Sequence, residues 1–236
     1  VEQAGRQCLL LPGDIAQKSQ CQALVDKTVE RFGRIDVLVN NAAFQMTHET
    51  FEEIPDEEWV MTFDVNITAI FRLCQAALKH MRPGASIINT SSVNGFWASL
   101  GPNIPHTAYS AAKFAVKGFT EALITDFRMN APTLRASVVM PGHIGTSIAI
   151  NSRKLLGADP KEMTEEQIAQ MRVRLAKSGL DVSGASDEDL RLGIQAQGEF
   201  FRDNAPMSAA EASTVILNGV KRGDWRILVG ADAAIL

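Results

Sequence analysis

The chain has 236 residues, which at roughly 100–200 residues per domain is one large domain more simply than two small ones. Apolar types make up 46% and charged types 21%, close to average globular usage, so a disordered, collagen-like or coiled-coil chain is excluded. Lysine and arginine number 23 against 27 acidic residues, a net charge of −4 with no long block of one sign, which argues against both a nucleic-acid phosphate track and an anionic membrane surface as partner.

Cys8, Cys21 and Cys74 are the three cysteines, an odd number without CxxC spacing. Neither a disulfide framework nor a zinc ribbon is expected, and a reducing compartment fits. No apolar run reaches the length of a membrane span, and Val1–Leu11 lacks the layout of a secretory signal, so the expected address is the cytoplasm. No repeat of solenoid or propeller length is visible.

In chain order, Cys8–Pro12 reads as a short strand ending before Asp14. Ser19-Gln20-Cys21-Gln22 reads as a capping box for a helix with Ala23, Leu24 and Phe32 among its apolar positions and Gly33 as its stop. Ile35–Val39 is an apolar strand, expected to be buried on both faces. Asp56–Met81 is a long, bent helical stretch ending near Pro83-Gly84, and Ala85–Asn89 is the next strand. Thr107–Met129 is helical, closed by Pro132 and followed by the strand Arg135–Met140. Strand then helix, repeated, predicts an α/β fold: a Rossmann-like, doubly wound parallel sheet with helices on both faces. Its ligands belong at the carboxyl ends of the strands.

The stretch between Thr146 and Pro206, about 60 residues, is rich in charge. Thr164-Glu165-Glu166-Gln167 is a capping box for a helix ending near Gly179, and a second helix starting at Ser186 carries Leu190, Ile194 and Phe201. Residues 147–206 read either as a helical lid or insertion over a site, or as surface padding and an oligomer contact. Ser208-Ala209-Ala210-Glu211 caps one more helix, stopping at Gly223, before a final strand Trp225–Val229. No Pro/Ser linker divides the chain, so one domain is expected over residues 1–236.

Tyr109 and Lys113 lie four apart on the 107–129 helix, so their side chains share a face. A phenol titrates near pH 10, and a nearby ammonium favours its ionised form; lowering it by three pH units takes about 4 kcal/mol. Taken alone, the pair reads more readily as a surface lysine one turn from a half-buried tyrosine. Its company is more informative. Ser91-Ser92 follows the strand Ala85–Asn89, Asn40-Asn41-Ala42-Ala43 ends the strand before it, and Pro141-Gly142-His143-Ile144-Gly145-Thr146 ends the strand after it. Three consecutive strand ends thus bring polar or small residues to one edge of the sheet, although each by itself also reads as an ordinary turn or cap.

In this order the motifs resemble the short-chain dehydrogenase/reductase family, over essentially the whole chain from Leu9 to Val229. The matching positions are Asn40, Asn41, Ala42 and Ala43 (with Ala43 where glycine is usual), Asn66, Ser92 three residues before Gly95, Tyr109, Lys113, and Pro141 to Thr146. The resemblance implies hydride transfer between a nicotinamide cofactor, NAD or NADP, and a small alcohol, aldehyde or ketone. It assigns Tyr109 as general acid/base, Lys113 to lower the phenol and hold ribose hydroxyls, Ser92 to bond the substrate oxygen, and Asn66 to hold a water in a proton path. Ser91 competes with Ser92, but the Gly95 offset favours Ser92. Toward the cofactor it assigns Asp14 and Ile15 to the adenine, Asn40, Asn41 and Ala42 to the adenosine ribose, and Pro141, Gly142, Ile144 and Thr146 to the nicotinamide end. Asp14 reads alternatively as a helix-start carboxylate. His143 is at best a pocket-rim residue.

Two features depart from the family. No glycine-rich phosphate loop occurs in the sequence, although a dinucleotide needs one; the resemblance implies that strand one, that loop, its helix and strand two, about 40 to 50 residues, precede Val1. The residue separating NAD from NADP would lie in that part. The Ser92–Tyr109 interval of 17 residues is long for the family and carries Phe96, Trp97, Pro102, Pro105 and His106. These residues read as a pocket wall with Phe44, Gln45 and His143, or as packing under a loop. The family's two long helices imply a homodimer or homotetramer, for which Ile67, Ile70, Phe71, Phe114 and Phe119 are available, unless they face the sheet. A serine hydrolase would need a Gly-x-Ser-x-Gly elbow, which is absent. The remaining alternative is a catalytically silent relative acting as a cofactor sensor or scaffold.

Overall fold

The computed structural model describes residues 1–48, 50–98 and 106–235. Pro102 and Pro105 of the long interval lie outside them. Among the described residues the chain forms α1 (Lys18–Phe32), β1 (Ile35–Asn40), α2 (Asp56–Phe63), α3 (Ala69–Leu78), β2 (Met81–Thr90), α4 (Thr107–Asn130), β3 (Arg135–Pro141), β4 (Ile144–Gly145), α5 (Ile148–Leu155), α6 (Glu165–Lys177), α7 (Asp187–Asp203), β5 (Met207–Ser208), α8 (Ala209–Arg222), β6 (Arg226–Val229) and α9 (Ala231–Ile235). Two compact units result, one built from residues 1–142 and 214–236, the other from residues 143–213.

In the first unit β1, β2, β3 and β6 form one sheet in that order, all parallel, with helices on both sides. Because the strands are parallel, Asn40, Thr90, Pro141 and Val229 end at one edge. β3 reads as a continuous apolar run, and Val138, Val139 and Met140 are each fully buried, as a strand covered on both faces requires. Ile70 and Cys74 of α3, Ile87 of β2, Val116 and Phe127 of α4, and Ala136 of β3 form the main core cluster. Val25 of α1 packs with Ile35, Ala76 and Ala77 in a second. On α8, Gly219 sits so close to Ile227 that an added Cβ would fall 2.8 Å from its side chain.

Several expectations are corrected. Cys8–Pro12 forms no strand: it has no ladder partner among the described residues, and an extended segment without cross-strand hydrogen bonds is not a strand. β1 is not buried on both faces: Val37 and Val39, which alternate onto the same face, are more than half exposed. The Ser19 capping box does not form. Asp14 turns the chain first, accepting from the Ala16 and Gln17 amides, so α1 starts at Lys18 with Ser19 already inside it. Gly33 does stop that helix, in the left-handed conformation at φ 79°. The bent stretch 56–81 is α2 and α3 joined by a π turn at Asp64–Thr68, and it gives way to β2 at Met81, before Pro83-Gly84. Of the five residues available for a dimer contact, Ile67, Ile70 and Phe119 pack into the core, whereas Phe71 and Phe114 are nearly half exposed.

The second unit has its own small core of Met163, Ile168, Leu190 and Ile194. Capping boxes start α6 at Thr164 and α7 at Ser186, each closed reciprocally by the residue three positions on. β4 and β5 pair in parallel. No described helix is long and apolar enough to cross a membrane.

Candidate active site

β2 ends at Thr90, and the chain leaves the sheet through Ser91 and Ser92, with the Ser91 amide still bonded to the Val139 carbonyl at 2.8 Å. Ser92 is extended and caps a single 3-10 turn, Val93–Gly95. That turn lies against α4. An added Cβ at Gly95 would stand 2.6 Å from the carbonyl oxygen of Lys113, so glycine is what lets the two backbones meet. Ser91 donates to the same carbonyl at 2.8 Å, which gives it a structural partner and leaves Ser92 as the serine beside Tyr109.

Ser92, Tyr109 and Lys113 are brought together. The Ser92 hydroxyl lies beside the Tyr109 phenol and favours its ionised form. The Lys113 ammonium lies 5.4 Å from the Tyr109 ring centre and donates to the Thr90 carbonyl at 2.9 Å. Lys113 is only 1% exposed, and burial pushes its ammonium down to about 8. Burial also raises the phenol above its ordinary value, with the Ser92 hydroxyl pulling the other way. In the chain without cofactor, desolvation penalises both charged forms and raises the phenol; the lowering expected from Lys113 together with a cofactor's positive ring concerns the bound state.

Asn66 is fully buried within the π turn. Its side chain accepts from the Phe44 amide at 2.7 Å and donates to the Phe44 carbonyl at 2.8 Å, tying the segment after β1 to α2 and α3. Asn40 turns its amide into the sheet, donating to Asn89 at 2.8 Å and to the Cys74 sulfur; Asn89 continues to Thr120 on α4. Asn41, Ala42 and Ala43 are exposed at the strand end. Asp14 is exposed on the turn before α1, and the carbonyl of half-buried Ile15 accepts from the Cys21 thiol. Pro141 and Gly142 end β3, where a Cβ on Gly142 would collide with the Asp232 carboxylate.

Ile144 and Thr146 belong to the second unit: Ile144 pairs with Met207, and the Thr146 hydroxyl accepts from the Ile148 amide. His143 is there too, stacked on Phe201 at 4.1 Å and bonded to its carbonyl. In the first unit Gln45 donates to His106 Nδ1 at 2.7 Å, and the His106 ring meets Tyr109 edge-on at 6.5 Å. Sequence reasoning missed Asn94 and Ser110. Asn94 bonds Ser92 and also donates to Ser110 at 3.3 Å. The available signal was an asparagine two positions after a strand-end serine, a residue type prone to short-range side-chain bonds.

The family model described as short chain dehydrogenase matches residues 1–156. The chain belongs to this family. It is 34% identical over 186 residues to an uncharacterized oxidoreductase of Schizosaccharomyces pombe, covering 79% of this chain and 60% of the relative. It is 39% identical over 140 residues to the NADPH-dependent aldehyde reductase 1 of Arabidopsis thaliana, covering 59% and 46%. The chain spans about half the length of the curated relatives it matches. Among solved structures, a short chain dehydrogenase/reductase from Burkholderia phymatum in complex with NAD superposes with a TM-score of 0.70 at 23% identity, over 96% of this chain and 72% of that one. At that identity the likeness establishes the fold.

Proposed function

We propose that the protein transfers a hydride between a nicotinamide cofactor, NAD or NADP, and an alcohol or carbonyl compound. The single observation that carries this reading is the cluster of buried Ser92 and Lys113 with half-buried Tyr109 at the carboxyl edge of the parallel sheet. The residues fit such a cofactor in one specific way. Lys113 is a buried cation with no carboxylate partner among the described residues, and one of its three donors is engaged by Thr90. Two remain for the vicinal hydroxyls of a ribose.

When bound, the cofactor supplies the hydride donor or acceptor and, in its oxidised form, a positive ring. Tyr109 gives its phenol proton to the carbonyl oxygen in reduction, or takes the hydroxyl proton in oxidation. Ser92 donates to the same oxygen and stabilises the charge that develops there. Lys113 orients the ribose and favours the ionised phenol. Asn66 holds the Phe44 segment in place, and a proton path there would use its backbone or a water beside it. Asp14 and Ile15 are assigned to the adenine, and Asn40, Asn41 and Ala42 to its ribose; the Asn40 amide nitrogen already donates to Asn89 and Cys74, while its buried Oδ1 has no partner among the described residues. Pro141, Gly142, Ile144 and Thr146 at the nicotinamide end are carried over from the family pattern alone.

The relatives' names span an aldehyde reductase, a glucose and ribitol dehydrogenase and a hydroxysteroid dehydrogenase, so the test uses a panel. Full-length protein is assayed for NAD(P)H oxidation with aldehydes, ketones, sugars and steroid ketones, beside Tyr109→Phe. Turnover that falls by at least about 100-fold in the variant supports the reading; unchanged turnover refutes it.

A further inference from the structure

The Ser92 hydroxyl has one proton and two acceptors within reach. Its Oγ accepts from the Asn94 amide N–H at 3.2 Å and stands 3.3 Å from Asn94 Oδ1, on the side of the Tyr109 phenol, whose ionised form it favours. The orientation of the Asn94 amide is not free. Its Nδ2 donates to Ser110 on α4, which turns Oδ1 toward Ser92. All three polar partners are buried: Ser92 is 8%, Asn94 9% and Ser110 3% exposed. A protonated phenol donates, so Ser92 then accepts from Tyr109 and sends its own proton to Asn94. An ionised phenol accepts, so the same proton rotates about the Cβ–Oγ bond to Tyr109.

We propose that Asn94 is a positioning residue that parks the Ser92 proton on its amide oxygen while Tyr109 is protonated and yields it when Tyr109 ionises or a substrate oxygen arrives. Asn94 thereby sets how readily the phenol loses its proton. The inference rests on Tyr109 acting as acid/base. The 3.3 Å separation suits the role, being long for an O–H···O bond and easily given up. The titratable groups facing the phenol are Lys113 on its own helix and His106 at that helix's start, the latter held neutral by burial. The Val93–Gly95 turn packed against α4 carries no ionisable side chain.

Tyr109 is the one tyrosine of this chain, so phenolate absorbance during an alkaline titration reads it directly, with no cofactor or substrate added. Titration of the full chain, with Tyr109→Phe subtracted and circular dichroism followed at each pH, is compared among variants. In Asn94→Ala the Ser92 proton has only Tyr109 left to bond, and the phenolate fraction at a fixed pH rises about three- to tenfold, the effect of one hydrogen bond gained by the ionised form. In Asn94→Asp a stronger, negatively charged acceptor holds the proton and the fraction falls. Ser110→Ala frees the amide to turn and shifts the curve in the direction of Asn94→Ala but by less, which tests the idea even if an Asn94 variant does not fold. Shifts of the same sign in Asn94→Ala and Asn94→Asp, or no shift in any variant, overturn the proposal. Failure of the acid/base reading shows separately, as turnover retained in Tyr109→Phe.

Discussion

Lys113→Met is expected to make the chain more stable at neutral pH, although it removes a residue assigned to the chemistry. Lys113 is buried with no carboxylate beside it among the described residues, and burial lowers its ammonium from 10.5 to about 8. At about 1.36 kcal/mol per pH unit, that difference corresponds to about 3 kcal/mol by which the charged form is disfavoured in the folded chain. The sign follows from proton counts. Between pH 8 and 10.5 the unfolded chain binds more protons than the folded one, so stability rises with pH through this window and the full penalty applies below it. Methionine fills a similar volume without a charge, but leaves the Thr90 carbonyl without its 2.9 Å donor, at a cost of about 1 kcal/mol. The net expectation is a gain of about 2 kcal/mol at pH 7 and a loss of about 1 kcal/mol above pH 10.5. Urea unfolding of both proteins at the two pH values measures this directly. A variant that is less stable at pH 7, or a difference that does not change sign with pH, would show that the ammonium is not desolvated as described.

Gly95→Ala forces a methyl group to within 2.6 Å of the Lys113 carbonyl oxygen and 2.9 Å of its carbon. Helix backbone gives way poorly, so a loss of about 1–3 kcal/mol in urea unfolding is expected; a change below about 0.5 kcal/mol would mean that the turn and α4 do not meet so closely. The thiols should separate sharply. Cys8 is exposed, whereas burial raises the Cys21 thiol and pushes Cys74 up to about 12, and the thiolate is the reactive form. A thiol reagent on the folded chain should therefore modify Cys8 quickly and the other two only after unfolding. Rapid reaction at Cys74 would contradict its packing against Asn40 and Ile87.

Short-range signals in the sequence were sufficient for the elements whose ends are decided by neighbouring residues. The capping boxes at Thr164, Ser186 and Ser208, the stop at Gly33 and the apolar runs of β2 and β3 all depend on atoms a few positions apart. The order of strand-end motifs likewise brought Ser92, Tyr109 and Lys113 to one edge, because parallel strands end together and the helix repeat puts residues four apart on one face. What the sequence did not contain is the outcome of competition between distant partners. Cys8–Pro12 is strand-like in composition yet has nothing to pair with among the described residues. Val37 and Val39 are apolar yet exposed, since the burial of a face depends on what packs over it. The Asn40 amide nitrogen donates to Asn89, 49 positions away, a pairing no local pattern reports. Without cofactor, burial pushes the phenol up, an effect of everything packed around it, whereas a four-residue spacing reports one neighbour. Asn94 is oriented by Ser110, 16 positions along the chain, which only the meeting of the turn with α4 brings within reach.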